Sequence, residues 1–186
     1  MGELLELPTP FQYGATGTWG GEQFIVEGRL QMDRAGAPGA PWQESLVAFP
    51  MSDRHTWVAY AQGRWYATTE SAPPQQGLPP VNALQPGMQL GLGEYGTWTV
   101  GEIGQRRVIA GEGGLPNVPA PGVVTYYADL SAQGGTFATI DYGDGSAPPA
   151  PSTSASLGGR RALWFEPMAA ADRRCFRWSK AASCGE

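Results

Sequence analysis

The chain is poor in the side chains that carry most catalytic and metal chemistry. In 186 residues it has one histidine, His55, and two cysteines, Cys175 and Cys184. A closed structural zinc site takes four nitrogen or sulfur ligands from one place, so most metal chemistry is excluded, and no cofactor is expected. Charge is also scarce, at 16% of residues against a usual share of about 25%. With 41% apolar residues, collapse is favoured and wholesale disorder is excluded. No run approaches the roughly 18 apolar residues of a membrane span. Met1 to Pro10 carries Glu3 and Glu6 in place of the basic and apolar regions of a secretory signal. These absences predict a soluble cytoplasmic protein with no membrane insertion.

What the chain has in excess is Gly 27, Pro 17 and twenty aromatic residues, seven of them Trp. Spread among apolar runs, glycine and proline argue for many short strands and turns and against long helices. Alternating segments read as strands at 23–27, 29–32, 42–49, 56–60, 64–69, 89–92, 97–103, 106–110, 123–127, 136–142 and 160–165. Gly28 permits a bulge between the first two. The prolines of 71–80 lack the N–H that a ladder needs. The predicted organisation is a first β unit at 1–70, a Pro-rich linker or loop at 71–86, a second β unit at 87–166, and a basic tail at 167–186. A short helical turn is expected at Pro167 to Asp172. The fold class is all-β, with antiparallel meanders forming two similar small barrel or sheet halves; one β-sandwich is the alternative. Gln23-Phe24-Ile25-Val26 aligns with Thr97-Trp98-Thr99-Val100, and Ala61-Gln62-Gly63 with Ala132-Gln133-Gly134. The near-constant offset points to an internal duplication.

Several phrases together resemble a known family. They are Gly14-x-x-Gly17-Thr-Trp-Gly-Gly, Phe24-Ile-Val-Glu-Gly28, Trp42-x-Glu44, Trp57, Gly63-x-Trp65, Gly87-Met-Gln-Leu and Gly111-Glu112-Gly-Gly-Leu115-Pro116. Tyr127-x-Asp129-Leu-x-x-x-Gly-Gly-x-Phe137-Ala-Thr-Ile-Asp141-Tyr completes the set. Over about residues 14–166 the chain resembles domain-of-unknown-function family 4178, bacterial β-rich proteins. That resemblance implies a β fold and an accessory or scaffold role, with no catalytic residue to carry over. Some members carry zinc-ribbon cysteine pairs; the wide spacing of Cys175 and Cys184 does not match one.

The sharper motifs dissolve on inspection. Gly91-x-Gly93-x-x-Gly96 matches a dinucleotide fingerprint only as a string, because a strand and not a helix N-terminus follows it. His55 reads as a hairpin-tip residue, and no G-x-S-x-G nucleophile elbow exists. Asp141-Tyr-Gly-Asp144-Gly lacks the third acid and bidentate Glu of a calcium loop and reads as a turn. Glu27, Glu44, Glu102, Glu112, Asp129 and Asp141 are the acids able to converge; an inward Glu44 beside Trp42 has to meet an Arg or backbone donors. The net charge is −5, and the acidic body excludes nucleic acid as a partner. The basic residues of the tail read as a strand edge and solvated surface.

The function expected from sequence is a non-catalytic cytoplasmic module that presents aromatic surface or a sheet edge to a protein partner. Trp19, Trp42, Glu44, Tyr126 and Tyr127 are the candidate surface. The alternative is a small-molecule-binding β-barrel whose pocket lies between the halves. Partner identity and oligomeric state stay open.

Overall fold

The computed structural model describes residues 4–7, 9–37, 39–61, 64–71, 74, 77–116, 118–133, 136–145, 162–167 and 177–179. It contains eleven strands: β1 (Thr16–Trp19), β2 (Glu22–Arg34), β3 (Trp42–Phe49), β4 (Arg54–Ala61), β5 (Arg64–Ser71), β6 (Gln89–Gly91), β7 (Thr97–Gly113), β8 (Val124–Ser131), β9 (Phe137–Gly143), β10 (Ala162–Pro167) and β11 (Arg177–Ser179). Their pairings are all antiparallel, as expected from short alternating runs joined by tight turns. The helical turn expected after Pro167 lies outside the described residues, and Pro167 itself ends β10.

The halves do not form separate barrels. β2 pairs with β3 along one edge and, through Gly28 to Arg34, with Gly113 to Arg106 of β7 along the other. On the far side β10 pairs with both β5 and β9. The ladder therefore runs β2-β3-β4-β5-β10-β9-β8-β7 and returns to β2, an eight-stranded ring shared by both halves. β1, β11 and β6 extend it at the rims. An eight-stranded barrel has an interior just wide enough to be filled by side chains or to hold one small ligand.

Two long strands make closure possible. β2 has 13 residues and β7 has 17, and each serves one half with its first part and the seam with its second. A bulge marks the change in both, between Val26 and Gly28 and between Val100 and Glu102. Because an extra residue shifts the two-residue period, a bulge sends later side chains to the opposite face. Phe24 and Val26 thus point out of the ring, while Leu30 and Met32 point in.

The outward faces are covered by the chain itself. On the first half, Phe24, Val26, Val47, Phe49 and Val58 pack with Phe11 of the segment preceding β1. That segment is fastened by the Gln43 amide and the Ser45 hydroxyl, which donate to the Phe11 carbonyl at 3.1 and 2.8 Å. On the second half, Trp98, Val100, Ala128, Leu130, Ala138, Ile140 and Tyr142 pack beneath Leu78, Leu84, Leu90 and Leu92. Residues expected to form a linker thus include two buried leucines of this core, Leu78 and Leu84. At roughly 25 cal/mol per Å² of apolar area removed from water, such straps are integral to the fold.

The local geometry of the halves repeats. Gly14 N–H donates to the Val26 carbonyl and Val26 N–H to Ala15, while Gly87 N–H donates to Val100 and Val100 N–H to Met88. Gly17 faces Phe24 in β1–β2, as Leu90 faces Trp98 in β6–β7. The Ala61-Gln62-Gly63 match behaves differently. It falls between β4 and β5, whereas Ala132-Gln133-Gly134 falls between β8 and β9, hairpins that occupy different places in the strand order.

Candidate functional site

Nine side chains from seven strands of the ring converge on one internal chamber of about 60 Å³: Leu30, Met32, Glu44, Trp57, Glu70, Arg106, Val108, Thr125 and Asp141. Only the inside of a closed ring allows this. The mouth is filled by the chain between β7 and β8, whose Pro116, Val118 and Pro119 complete the wall. Leu115 and Val118 of that plug pack on the apolar end of the lumen, formed by Leu30, Met32, Leu46, Trp57 and Val108. Gly28 makes room for the plug, and Gly113 for the neighbouring backbone of β2. A Cβ on Gly28 would lie 2.6 Å from Leu115 Cδ2, and one on Gly113, whose φ is +83°, would lie 2.2 Å from the Glu27 carbonyl oxygen.

The other end of the lumen is polar. Arg106 is buried and donates to Asp141 Oδ2 at 2.9 Å, with Glu44 Oε1 at 3.9 Å. Burial works against its charge, but Asp141 and Glu44 more than offset that, and its pKa rises above the usual guanidinium value. Its guanidinium also lies 5.7 Å from the centre of the Tyr127 ring. The Tyr127 hydroxyl donates to Glu102 Oε1 at 2.8 Å, and Gly104 leaves the space it needs, since a Cβ there would fall 2.5 Å from that hydroxyl. Burial and then the bond to Glu102 push the Tyr127 pKa up to about 12. Asp129 accepts from the Thr139 hydroxyl at 2.7 Å. Burial, reinforced by the charges of Glu102 and Glu44, pushes its pKa up to about 6 against the opposing pull of Thr139 and Arg106.

Outside the plug lies a larger cleft of about 660 Å³, lined by Glu27, Leu46, His55, Trp57, Thr69, Glu70, Gly114, Leu115 and Pro116. It shares Trp57, Glu70 and Pro116 with the inner chamber. The Trp57 indole N–H donates to Glu70 Oε1 at 3.3 Å. His55 Nε2 is 3.3 Å from Glu27 Oε2. His55 therefore sits within β4 at the cleft, beyond the tip where sequence placed it.

The five sequence candidates divide. Trp42, Glu44 and Tyr127 belong to the lumen: the Trp42 indole donates to Glu44 Oε1 at 3.1 Å and packs on the apolar end. Trp19 is half-buried against Phe49 in the outward core of the first half, with ring centres 5.6 Å apart. Tyr126 packs on the outward core of the second half. Of the six acids, Glu44, Asp129 and Asp141 gather in the lumen; Glu102 pairs with the exposed Arg34, Glu27 lies at the cleft, and Glu112 pairs with the buried Arg29. Arg106, Glu70 and Thr125 were not singled out in the sequence, and Trp57 only as part of the family resemblance. The available signal was charge and hydroxyl at inward positions of otherwise apolar strands. Gly91-x-Gly93-x-x-Gly96 is a β6–β7 hairpin. Among the described residues, no group of three or more His, Cys, Asp and Glu is arranged to hold a metal ion, and no helix is long and apolar enough to cross a membrane.

Fold and site together define an antiparallel β-barrel with a charged, plugged lumen and self-covered outer faces. A family model described as "Domain of unknown function (DUF4178)" matches residues 12–156, and the chain belongs to that family. No curated protein and no solved structure matches it.

Proposed function

We propose that this protein is a non-catalytic small-molecule-binding module whose ligand enters the barrel between the two halves. The observation that carries the reading is the placement of Glu44, Arg106 and Asp141 inside the ring, beside a chamber that shares Trp57, Glu70 and Pro116 with the outer cleft. Charged groups inside a core are costly unless paired, and apolar side chains would fill such a lumen at lower cost. The protein-partner reading is supported less well in its aromatic-surface form, because the five candidates are buried or half-buried.

The test is a metabolite screen by thermal shift, repeated on Val108→Trp, which fills the chamber. A ligand at one hundred times its Kd stabilises by about 2.7 kcal/mol; the expected hit moves the wild-type midpoint and leaves the variant unmoved. A library with no saturable hit would overturn the reading.

We also propose that the halves descend from one duplicated β unit. The matched bulges after Val26 and Val100, and the matched strap bonds of Gly14 and Gly87, support it. Both glycines have positive φ, +77° and +85°, with open space around the missing Cβ. Gly14→Ala and Gly87→Ala are therefore expected to cost the same, about 1 kcal/mol each in urea unfolding. A twofold or larger disparity would count against equivalent roles.

A further inference from the structure

We infer that the ligand of the barrel is a small organic cation: an amine whose ammonium head enters the inner chamber while its apolar body lies in the outer cleft. The inference rests on the pocket reading above and adds the chemical class. Three observations lead to it.

The first is charge. Among its described lining residues the inner chamber carries three carboxylates, Glu44, Glu70 and Asp141, against one guanidinium, Arg106. The outer cleft adds Glu27 and contains neither Lys nor Arg. An anionic ligand would meet repulsion at each stage, and a cation would meet attraction.

The second is an unused hydroxyl. Thr125 is 6% exposed and sits opposite Arg106 in the β7–β8 ladder, on the chamber wall. Its hydroxyl has no hydrogen-bond partner among the described residues, unlike Thr68 and Thr139, which are buried and bonded. An ammonium, a donor only, supplies the missing bond while facing Glu44 and Asp141.

The third is shape. The chamber of about 60 Å³ suits a head group, and the cleft of about 660 Å³ suits a body. The two meet at Trp57, with Leu46, Leu115 and Pro116 giving the cleft apolar walls. Indole beside carboxylate is a favoured surrounding for an organic cation.

The experiment compares phenethylammonium, phenethyl alcohol and phenylpropionate by isothermal titration against wild type, Glu44→Gln and Thr125→Val, each first checked for folding by its amide NMR spectrum. Phenethylammonium is expected to bind wild type at least about tenfold more tightly than the other two, a difference of about 1.4 kcal/mol. Thr125→Val keeps the shape of the side chain and is expected to weaken the ammonium about fivefold, and Glu44→Gln about tenfold or more. If the alcohol or the acid binds as tightly as the ammonium, or if Thr125→Val binds it unchanged, the cation assignment is overturned while the pocket stands. If alkylammonium ions from ethyl to octyl also fail to bind, the cation assignment falls; the metabolite screen then decides separately whether the pocket reading falls with it.

Discussion

The two outward faces of the ring and its lumen are made from the same strands, yet they meet the demand for burial in opposite ways. Outside, Phe24, Val47, Phe49, Leu130 and Ile140 lie under straps that bring Phe11, Leu78 and Leu84 to them. Inside, one end is apolar under the plug and the other holds Arg106 among Glu44, Asp129 and Asp141. Apolar packing is indifferent to pH and local in its consequences. A buried charge network is neither, since removing one member leaves others uncompensated. Outside, stability rests on apolar burial alone; inside, it also rests on the mutual compensation of buried charges.

The sharpest way to break that contrast pairs two truncations. Phe49→Ala, at a position 1% exposed, is expected to cost about 3–5 kcal/mol, with the same cost at pH 5 and pH 8. Arg106→Leu is expected to cost about 3–5 kcal/mol near neutrality, and its cost shrinks as acid neutralises the stranded carboxylates. Urea titrations at several pH values read both, and a pH-independent Arg106→Leu cost would remove the distinction between the two regions.

The plug gives the next effect. Gly28→Ala drives a methyl against Leu115 and the Glu112 carbonyl oxygen, at a cost of about 1–3 kcal/mol. In Leu115→Ala the nearer obstacle is gone and only the carbonyl oxygen remains, so the double variant should lose less than the sum, a coupling that a double-mutant cycle measures.

Asp129 gives an effect read only through its dependence on pH. Its folded pKa is about 6 against an ordinary 3.8, so the folded protein holds this proton more tightly than the unfolded chain does. The resulting stability is fully present below about pH 4 and is lost as pH rises through about 6. Asp129→Asn lacks this dependence. Its unfolding midpoint relative to wild type should therefore rise between pH 4 and pH 7, and parallel curves would disprove the assignment.

Much of the architecture was legible because a strand's period and its breakers are local. The alternation around Phe24-Ile-Val predicted β2, Gly28 predicted its bulge, and the glycine and proline punctuation predicted antiparallel hairpins. The site was legible only in part. Glu44 beside Trp42 was expected to meet an Arg or backbone donors; it accepts from the Trp42 indole and forms an ion pair with Arg106. Trp19, Tyr126 and Tyr127 stood together in sequence as candidate surface aromatics, yet they enter three different environments. The reason is parity: a single bulged residue exchanges inside for outside for everything after it, and composition does not record that exchange.

The sequence by itself determined an all-β antiparallel chain, its punctuation and its family, since these follow from the preferences of each residue and its near neighbours. Tertiary structure alone decided that the halves share one ring, that the proline-rich stretch after β5 contributes buried leucines, and that Glu44, Asp129 and Asp141 gather around Arg106. Each of those depends on which distant strands pair and in what register, and that is fixed by the simultaneous burial of both faces of the sheet.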